Sequence, residues 1–556
     1  MAEDTRLAES EKVLDMVLLF LLRPDKPLHA HFYCLPTKER LMGAIILQQL
    51  SKQVYRGYKF KAHGLAYFLD TIDENAKLMA DRRANSSVDQ FTILVRSTVS
   101  ASLALQGFVD EERSLSCEDL RNKLNAKLPF ALKSLLRTKS YPGDDSRDTG
   151  FHKVTEAVLS LLSKVVCPPP VSKDEAARRS FFLREVADHL GDKLLDCACF
   201  HQGFICVPAL EILAALASGD PGAREILVKK HSIPILMNNS TSYRQIMQHS
   251  AAATTSAIRK ESNSFAFCYA QISLVSLFAV LANSKRGHGQ LIDGFRVVLE
   301  KCCCYANSDA PQEQLYAFQS EAALFTANMT SGDVAEANGS AAARAFGVVS
   351  RERGRLTILV RIFMMLAKKF VPTDNDCSVD ARNIVRNAGA ALAALCDDQV
   401  HVAPIILHQG GFQVVLDILN APFDDCSPVF RPYLLLLQRC STIFYRADNI
   451  ILSRLKKRVA GIASIRSQQQ DMKANSEIAQ HIIFLLSEPH HSTGYASTRL
   501  FADEASNGGN SSVEFQCVES EDDSSTQSAS SASFATCDIA DVPALLYTKP
   551  KGKKPV

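Results

Sequence analysis

The chain has 556 residues, of which 47% are hydrophobic, 22% charged and 8% aromatic. Lys and Arg number 62 against 60 Asp and Glu, so the formal net charge is +2, and there is no Trp. This composition is ordinary for a globular protein and argues against a collagen-like, wholly disordered or coiled-coil chain. The near-zero net charge supplies no global basic field, which argues against a dedicated nucleic-acid-binding protein.

The N-terminal segment lacks the pattern of a secretory signal. Met1–Lys12 is acid-rich, and the apolar run Leu14–Leu22 that follows it has neither a basic start nor a clear cleavage site. Sixteen cysteines would suit a disulfide framework in a small secreted domain, but this chain is long. We therefore expect a cytoplasmic protein with reduced thiols, most of them buried as small hydrophobes.

Most of residues 1–490 shows the 3.6-residue periodicity of helices, with few alternating strand-like runs. Breaks fall at Tyr141–Asp145 and Pro168–Pro170. The helices predicted in the first part of the chain are Ser10–Leu22, Lys38–Gln53, Leu65–Ala80, Val88–Leu105, Cys117–Leu136, Lys153–Val166, Lys173–Leu190 and Val207–Ala217. Helix after helix without strands predicts an all-α fold, built either as several bundles or as a solenoid.

The most membrane-like stretch is Phe265–Ala282, which is nearly as long as the 18 to 20 apolar residues of a membrane span. It contains Gln271, Ser273 and Ser276, and small residues recur along it. A core helix that is buried on every side is also apolar all round. We therefore expect a buried core helix and no membrane span.

An internal repeat favours the solenoid. Leu213–Met237 aligns on Leu392–Leu416 over 25 columns without a gap, and each segment comprises a helix end, a polar turn, a short helix and a further helix. Phe278–Leu299 repeats this order with a shorter turn, and Glu321–Gly332 supplies another helix end of the same kind.

This pattern resembles the armadillo repeat, in which an Ala- and Leu-rich helix end precedes a polar turn, an apolar helix, Gly-Gly-Ile and another apolar helix. Gly410-Gly411-Phe412 stands where the family has Gly-Gly-Ile. The resemblance is best at residues 207–237 and 388–419. It implies an armadillo-like α-solenoid, in which repeats too small to bury their own apolar faces stack around one core beside a long concave surface.

The spacing of the repeats predicts insertions. Leu216, Leu281, Met329 and Leu395 are equivalent positions, separated by 65, 48 and 66 residues. The family period is about 42. Polar insertions are expected at Ser240–Ser264 and Thr330–Ala345.

Three regions follow from these patterns. Residues 1–170 form an N-terminal helical region of divergent repeats or a cap, residues 171–486 form the armadillo-like repeats, and residues 487–556 form a Ser- and acid-rich disordered tail with a basic end. In the tail, Ser520 precedes Glu521–Asp523, as in sites of acidophilic kinases. The apolar island Val542–Tyr547 is either a docking motif or a segment that folds back onto the solenoid.

No catalytic signature is present: the sequence lacks HExxH, a phosphate-binding G-x-x-x-x-G-K-[ST], a G-x-G-x-x-G after a strand, and G-x-S-x-G. Candidate metal ligands are limited to Cys197, Cys199, His201 and Cys206, and to the cluster Cys302–Cys304. The chain has no C-x-x-C, and adjacent cysteines on a helix point about 100° apart. We therefore predict a protein that is not an enzyme and uses no cofactor or metal.

Two basic stretches are candidate binding sites. Lys52–Lys61 interleaves cations with aromatic residues, as in sites for nucleic acids or phosphoinositides. Arg454–Arg458 lies in an amphipathic helix. Both are short, so solvated faces are the simpler expectation, and nucleic acid is not expected as a partner.

The resemblance implies that protein partners bind along the concave groove. Importin-alpha-like adaptors of this family line the groove with Trp and Asn. The Asn position falls here on Ala215, Val280, Asn328 and Ala394, and the Trp position on Glu211, Ser276, Leu324 and Ala390. Only Asn328 matches, so recognition of classical nuclear signals is not expected. From the repeat phase alone, the expected groove contacts are Glu211, Ala215, Ser276, Val280, Asn328 and Ala390.

The sequence thus predicts a scaffold or adaptor that binds a protein partner along the groove, in a cytoskeletal or trafficking assembly. The alternative implied by the same resemblance is an exchange factor or chaperone for a GTPase. Neither the partner nor the oligomeric state is specified by the sequence.

Overall fold

The structure is a computed structural model that describes residues 88–112, 145–166, 173–200, 203–252, 269–304, 312–330, 353–372, 379–398, 402–423, 428–465 and 470–487, with a few single positions between 72 and 136. Regular structure in these ranges is entirely helical, as predicted. Several sequence predictions lie outside them: the basic stretch Lys52–Lys61, Ser520, the island Val542–Tyr547, and the remainder of the C-terminal tail after residue 487.

The helices are numbered in chain order. They are α1 (Val88–Glu112), α2 (Asp145–Val166), α3 (Lys173–Ala198), α4 (Gly203–Gly219), α5 (Pro221–Lys229), α6 (Ser232–Asn239), α7 (Thr241–Ala252), α8 (Tyr269–Leu281), α9 (Lys285–Gln290), α10 (Ile292–Cys304), α11 (Gln312–Thr330), α12 (Arg353–Lys369), α13 (Val379–Asp398), α14 (Val402–His408), α15 (Gly411–Asn420), α16 (Phe430–Arg439), α17 (Asn449–Ala463) and α18 (Gln470–Ser487). A 3₁₀ helix, Ser441–Arg446, precedes α17.

Some helix boundaries differ from the predicted ones. Helix α2 was predicted to begin at Lys153 but begins at Asp145, directly after the Pro-Gly break. The first half of the expected polar insertion Ser240–Ser264 is helical, as α7. Although this segment is mostly polar in composition, its helix has an apolar face. Tyr243 and Ile246 are buried, and the centre of the Tyr243 ring lies 6.0 Å from that of the Phe278 ring.

The two segments that align in the sequence fold alike. In each, the end of a long helix (α4 or α13) leads into a short helix (α5 or α14) and then a further helix (α6 or α15). Helices α8, α9 and α10 repeat the same order. The three-helix repeat of the sequence is therefore a structural repeat.

Eight of the described helices stack in one row, which we call the ladder. Each ladder helix packs against the next, in the order α1, α2, α4, α8, α11, α13, α16 and α18. Behind the ladder a second layer runs in parallel order, with contacts from α3 to α5, α7 to α10, α10 to α12, α12 to α15 and α15 to α17. Two layers of helices in sequential contact confirm the all-α, armadillo-like α-solenoid predicted from the sequence.

The ladder already includes α1 and α2, since α2 contacts both α1 and α4. The predicted boundary at residue 170 is thus crossed by helix packing. Whether α1 and α2 belong to divergent repeats or to a cap stays a prediction, as do the three region boundaries.

The core runs along the whole ladder. Every residue in Ala270–Leu281 of α8 and in Ala317–Met329 of α11 is buried. The apolar stretch around α8 is therefore a helix of the solenoid core, as predicted. None of the described helices is by itself long and apolar enough to cross a membrane; α14 and α15 reach that length and composition only as a pair, bent by 75°.

Carbonyl groups at the C-terminal ends of helices have no partner within their own helix and need one elsewhere. In this solenoid, side chains from neighbouring helices supply it. The donor and acceptor pairs are Arg179 Nη2 and Val166 O (2.6 Å), Arg224 Nε and Ala217 O (3.0 Å), Asn328 Nδ2 and Ala279 O (2.7 Å), His288 Nε2 and Met329 O (2.9 Å), and Arg458 Nε and Leu419 O (2.6 Å). These bonds tie α2 to α3, α4 to α5, α8 and α9 to α11, and α15 to α17.

A buried carboxylate joins α3 to the turn between α4 and α5. Asp220 caps α5 by accepting a hydrogen bond from Ala223 N at 2.7 Å, and it also accepts hydrogen bonds from Arg184 and Ser180. Burial by itself raises the pKa of Asp220, but the hydrogen bonds from Arg184, Ser180 and Ala223 outweigh it and hold the pKa below its usual value.

Candidate functional site

The six groove positions predicted from the repeat phase lie on four consecutive ladder helices. Glu211 and Ala215 are on α4, Ser276 and Val280 on α8, Asn328 on α11 and Ala390 on α13. Residues four apart on a helix share one face. We call the side of these helices that carries the six positions the ladder face.

The structure divides these positions into two groups. Glu211, Ala215 and Ala390 are half-buried. Ser276, Val280 and Asn328 are only 6%, 4% and 4% exposed. In this arrangement a partner lying on the ladder face would reach side chains of α4 and α13, whereas α8 and α11 offer it almost no surface. Contact with a partner at any of the six stays a prediction.

Asn328, which matches the Asn of importin-like grooves, has a contact within the protein. Its Nδ2 donates to Ala279 O at 2.7 Å, and Ala279 is in the last turn of α8. At this helix end Asn283 N donates to the carbonyl of Val280, three residues earlier, instead of to that of Ala279, four residues earlier. The amide of Asn328 thus fastens α11 to α8 instead of facing a ligand.

A polar cluster crosses three helices in the middle of the ladder. Glu321 of α11 is buried and accepts a hydrogen bond from Ser276 of α8, and it interacts electrostatically with Arg386 of α13. Burial raises the pKa of Glu321 to about 7, against the lowering effects of Ser276 and Arg386. Burial lowers the pKa of Arg386, and Glu321 partly offsets that effect.

This cluster is incompletely hydrogen-bonded. Oε2 of Glu321 and Nη2 of Arg386 have no hydrogen-bond partner among the described residues. The repeat alignment missed both residues. One signal was available in the sequence, since Glu321 is the single charged residue in the otherwise uncharged run Ala317–Met329.

The N-terminal end of the ladder also carries accessible surface. A cleft of about 400 Å³ lies between α1 and α2. It is lined by Val95, Arg96, Val99, Leu103, Gln106, Lys153, Glu156, Ala157 and Ser160. Apolar side chains and charges of both signs suit a surface that binds a protein segment. Sequence analysis did not identify this cleft, because it is formed by two helices whose facing residues are about 57 positions apart.

Helix α4 packs against α2 and exposes an aromatic side chain. Phe204 is 46% exposed and precedes Glu211 by two helical turns, so it shares the ladder face. An accessible aromatic ring is a typical anchor for a partner. Phe204 was not among the six predicted positions, because these come only from the Trp and Asn positions of importin-like grooves.

The cysteines considered as candidate metal ligands are surrounded by the protein core or by backbone carbonyl groups. Cys206 Sγ donates to Ala198 O at 3.0 Å, and burial raises the pKa of Cys197 to about 12 and that of Cys199 to about 11. His201 lies outside the described residues. Cys302 and Cys303 are buried on α10. Within the described ranges no group of three or more His, Cys, Asp and Glu side chains is placed to hold a metal ion.

The basic stretch Arg454–Arg458 divides into two parts. Arg458 donates to Leu419 O and lies 5.9 Å from the centre of the Phe430 ring, so its role is in packing. Arg454, Lys456 and Lys457 are exposed.

No protein-family model matches the chain, and no curated protein matches it. Among solved structures, an engineered protein is similar to it with 14% identity, a TM-score of 0.41, and coverage of 84% of this chain and 98% of that one. The protein SYS-1 is similar with 9% identity, a TM-score of 0.40, and coverage of 86% and 76%.

A chain from a study of the interaction between cadherin and beta-catenin shows 12% identity and a TM-score of 0.27, over 85% of this chain and all of that one. All three TM-scores lie below 0.5. The assignment of the fold therefore rests on the helix packing of this chain itself.

Proposed function

We propose that the protein is a non-enzymatic scaffold or adaptor, and that it binds a protein partner on the open N-terminal stretch of the ladder. This stretch consists of the cleft between α1 and α2 together with the exposed face of α4. The observation that carries the proposal is the change in accessibility along the ladder, from the open cleft and Phe204 to the closed faces of α8 and α11.

The chemistry of this stretch supports a protein partner. Leu103 and Phe204 offer exposed apolar surface, while Arg96, Lys153 and Glu156 surround the cleft with both signs of charge. Apolar anchors within a polar rim are the usual composition of a protein interface. The cleft is large enough for a few side chains of an extended or helical segment.

Two phenylalanines provide a matched test. Phe204 lies on the ladder, and Phe181 lies on α3 in the second layer, where it is 67% exposed. We would introduce Phe204→Asp with Glu211→Arg in one full-length chain and Phe181→Asp in another, and identify co-purifying proteins by mass spectrometry.

Proteins that bind the ladder should be recovered with the wild type and with Phe181→Asp, and be depleted at least about tenfold with the Phe204 variant, as expected for the loss of an aromatic anchor. Recovery that is unchanged in the Phe204 variant, or lost only with Phe181→Asp, would contradict the proposed location. The absence of any reproducible partner of the wild type would contradict the scaffold function itself.

The finer aspects of the function are part of the same proposal. We expect a cytoplasmic location and a partner in a cytoskeletal or trafficking assembly, and imaging of the tagged protein tests the first. If a GTPase is recovered instead, a nucleotide-release assay with that GTPase and the full-length chain distinguishes a regulator from a passive scaffold.

A further inference from the structure

Helix α17 presents an exposed basic face. The segment Asn449–Ala463 contains no acidic residue, and Arg454, Lys456 and Lys457 are exposed. Within the described ranges these three side chains form no hydrogen bond or ion pair, unlike Arg458, which donates to Leu419 O. Three exposed cations on four residues, without a compensating carboxylate on the helix, form a site for an anionic group.

The same surface has an apolar component. Ile450 is 65% exposed, and Ile450, Arg454 and Lys457 follow one another at spacings of four and three, so they lie on one face. A ligand that suits this face has acidic groups close to an apolar side chain. We call this surface, Ile450 with Arg454, Lys456 and Lys457, the α17 face.

The chain itself contains a segment of matching chemistry. Glu519, Glu521, Asp522 and Asp523 surround Ser520, and Phe515 and Val518 precede them closely. Four carboxylates within five residues complement the three cations. The order of apolar residues followed by acidic ones corresponds to the order of Ile450 and the cations on the α17 face.

The connection is long enough. Helix α18 packs on α17 and ends at Ser487, so the last described residue belongs to a helix in contact with α17. Glu519 follows thirty-two residues later. At up to about 3.3 Å per residue, a connection of that length can span more than the roughly 22 Å over which the fifteen residues of α17 extend. The acidic segment can therefore reach every part of the α17 face.

We propose that residues 513–525 dock on the α17 face of the same molecule and that phosphorylation of Ser520 strengthens this contact. The carboxylates pair with Arg454, Lys456 and Lys457, and Phe515 or Val518 covers Ile450. A kinase that recognises acidic sequences transfers the γ-phosphoryl group of ATP to Ser520 Oγ, with release of ADP and a proton. The phosphate adds about two negative charges to the segment. This contact is independent of partner binding on the ladder.

Photo-crosslinking in the full-length chain tests the proposal. A p-benzoylphenylalanine at Ser453, which is exposed on α17, should crosslink to residues 513–525, as identified by mass spectrometry. The control site is Val379, which is exposed on α13. Because the attraction is between surface charges, the yield from position 453 should fall about fivefold between about 0.05 M and 0.5 M salt. Phosphorylation of Ser520 in vitro should raise it.

Two sets of variants change the two partners separately. Arg454→Glu with Lys456→Glu and Lys457→Glu should abolish the crosslink to the segment, and so should Glu519→Gln with Glu521→Gln, Asp522→Asn and Asp523→Asn. The second set leaves every described helix unchanged, so a loss there does not arise from unfolding of the solenoid.

Mixing isotopically light and heavy chains separates the remaining outcomes. Crosslinks within one isotopic form support the proposal, whereas crosslinks between the forms would show that the α17 face binds a second copy and would overturn it. Equal crosslinking from positions 453 and 379, no crosslink to residues 513–525, or a yield that is insensitive to both sets of variants would overturn it as well.

Discussion

The side-chain amide of Asn328 donates a hydrogen bond to the carbonyl oxygen of Ala279 at 2.7 Å, from the middle of the ladder to the last turn of the helix before it. The repeat phase places Asn328 at the position where importin-like grooves carry an Asn. Here the donor is used by the fold, and the residue is 4% exposed. The side-chain amide at this repeat position thus joins α11 to α8.

Replacement of Asn328 by Ala should lower the free energy of unfolding by about 1–2 kcal/mol, because the Ala279 carbonyl loses its donor. The loss is at the lower end of the range for buried groups, since Oδ1 of Asn328 has no hydrogen-bond partner among the described residues and is removed too. Chemical denaturation followed by circular dichroism measures the change.

The control for this substitution is Asn239→Ala, at an exposed position near the end of α6. Its effect should stay within about 0.5 kcal/mol. Equal effects of the two substitutions would mean that the Asn328–Ala279 bond contributes nothing to stability.

Three glycines should respond to alanine in a defined order. Gly410 has φ of +73°, a left-handed conformation that costs a residue with a side chain about 1–2 kcal/mol. Gly411 should tolerate alanine even less, because its Cβ would lie 2.8 Å from the backbone oxygen of Ile406 and would clash with the Ile406 side chain. Gly461 is exposed in α17, with nothing within 4 Å of a new Cβ. Its replacement by Ala should raise the free energy of unfolding by about 1 kcal/mol.

Thermal and chemical unfolding of the three variants tests this order, and Gly461→Ala serves as the internal control. A stabilising Gly411→Ala, or a Gly410→Ala as favourable as Gly461→Ala, would contradict the geometry of this turn.

Stability should depend on pH through Glu321. Its pKa in the folded protein is about 7, compared with 4.5 for an ordinary Glu, so the folded state binds more protons than the unfolded chain between these values. Stability from this group is therefore complete below pH 4.5 and is lost as the pH rises towards 7. Relative to a Glu321→Gln variant, the wild type should lose on the order of 3 kcal/mol across this interval.

Urea unfolding of both proteins at several pH values between 4.5 and 8 measures this difference. Glu477→Gln, at an exposed position on α18, is the control and should give a profile parallel to the wild type. Parallel profiles for the wild type and Glu321→Gln would show that Glu321 titrates normally.

Mild oxidation should link α13 to the end of α16. The sulfur atoms of Cys396 and Cys440 are 3.7 Å apart, and neither cysteine is in a disulfide bond. Hydrogen peroxide can oxidise the pair to a disulfide with formation of two water molecules, because a sulfenic acid on one cysteine condenses with the neighbouring thiol. Peptide mapping should detect a bond between these two residues.

Cys396→Ser should abolish this bond, whereas Cys302→Ser, at a buried position on α10, should leave it intact. Peroxide treatment that modifies both cysteines separately, without a bond between them, would contradict the expected proximity.

Much of the architecture was predictable because it is encoded locally. The alignment of Leu213–Met237 on Leu392–Leu416 anticipated that both segments fold as a helix end, a short helix and a further helix. Two predicted boundaries were wrong. Helix α2 begins at Asp145 instead of Lys153. Helix α7 occupies part of an expected insertion, because Tyr243 and Ile246 form an apolar face in a mostly polar segment.

The groove was predictable only in part. The repeat phase placed Glu211 and Ala215 on an accessible face of α4, but it gave no indication that Ser276 and Val280 are buried. Nor did it identify Glu321 and Arg386, or the cleft between α1 and α2. In each case the missing information is the distance between helices that are far apart in the chain.

The sequence by itself determined an all-helical chain of armadillo-like repeats, because hydrophobic periodicity and repeat phase are properties of neighbouring residues. Only the tertiary structure decided which ladder residues are accessible. Exposure depends on how closely one long helix approaches the next, and successive ladder helices are joined by dozens of intervening residues. Asn328 illustrates the difference: its place in the repeat was visible in the sequence, but its bond to Ala279 required the packed structure.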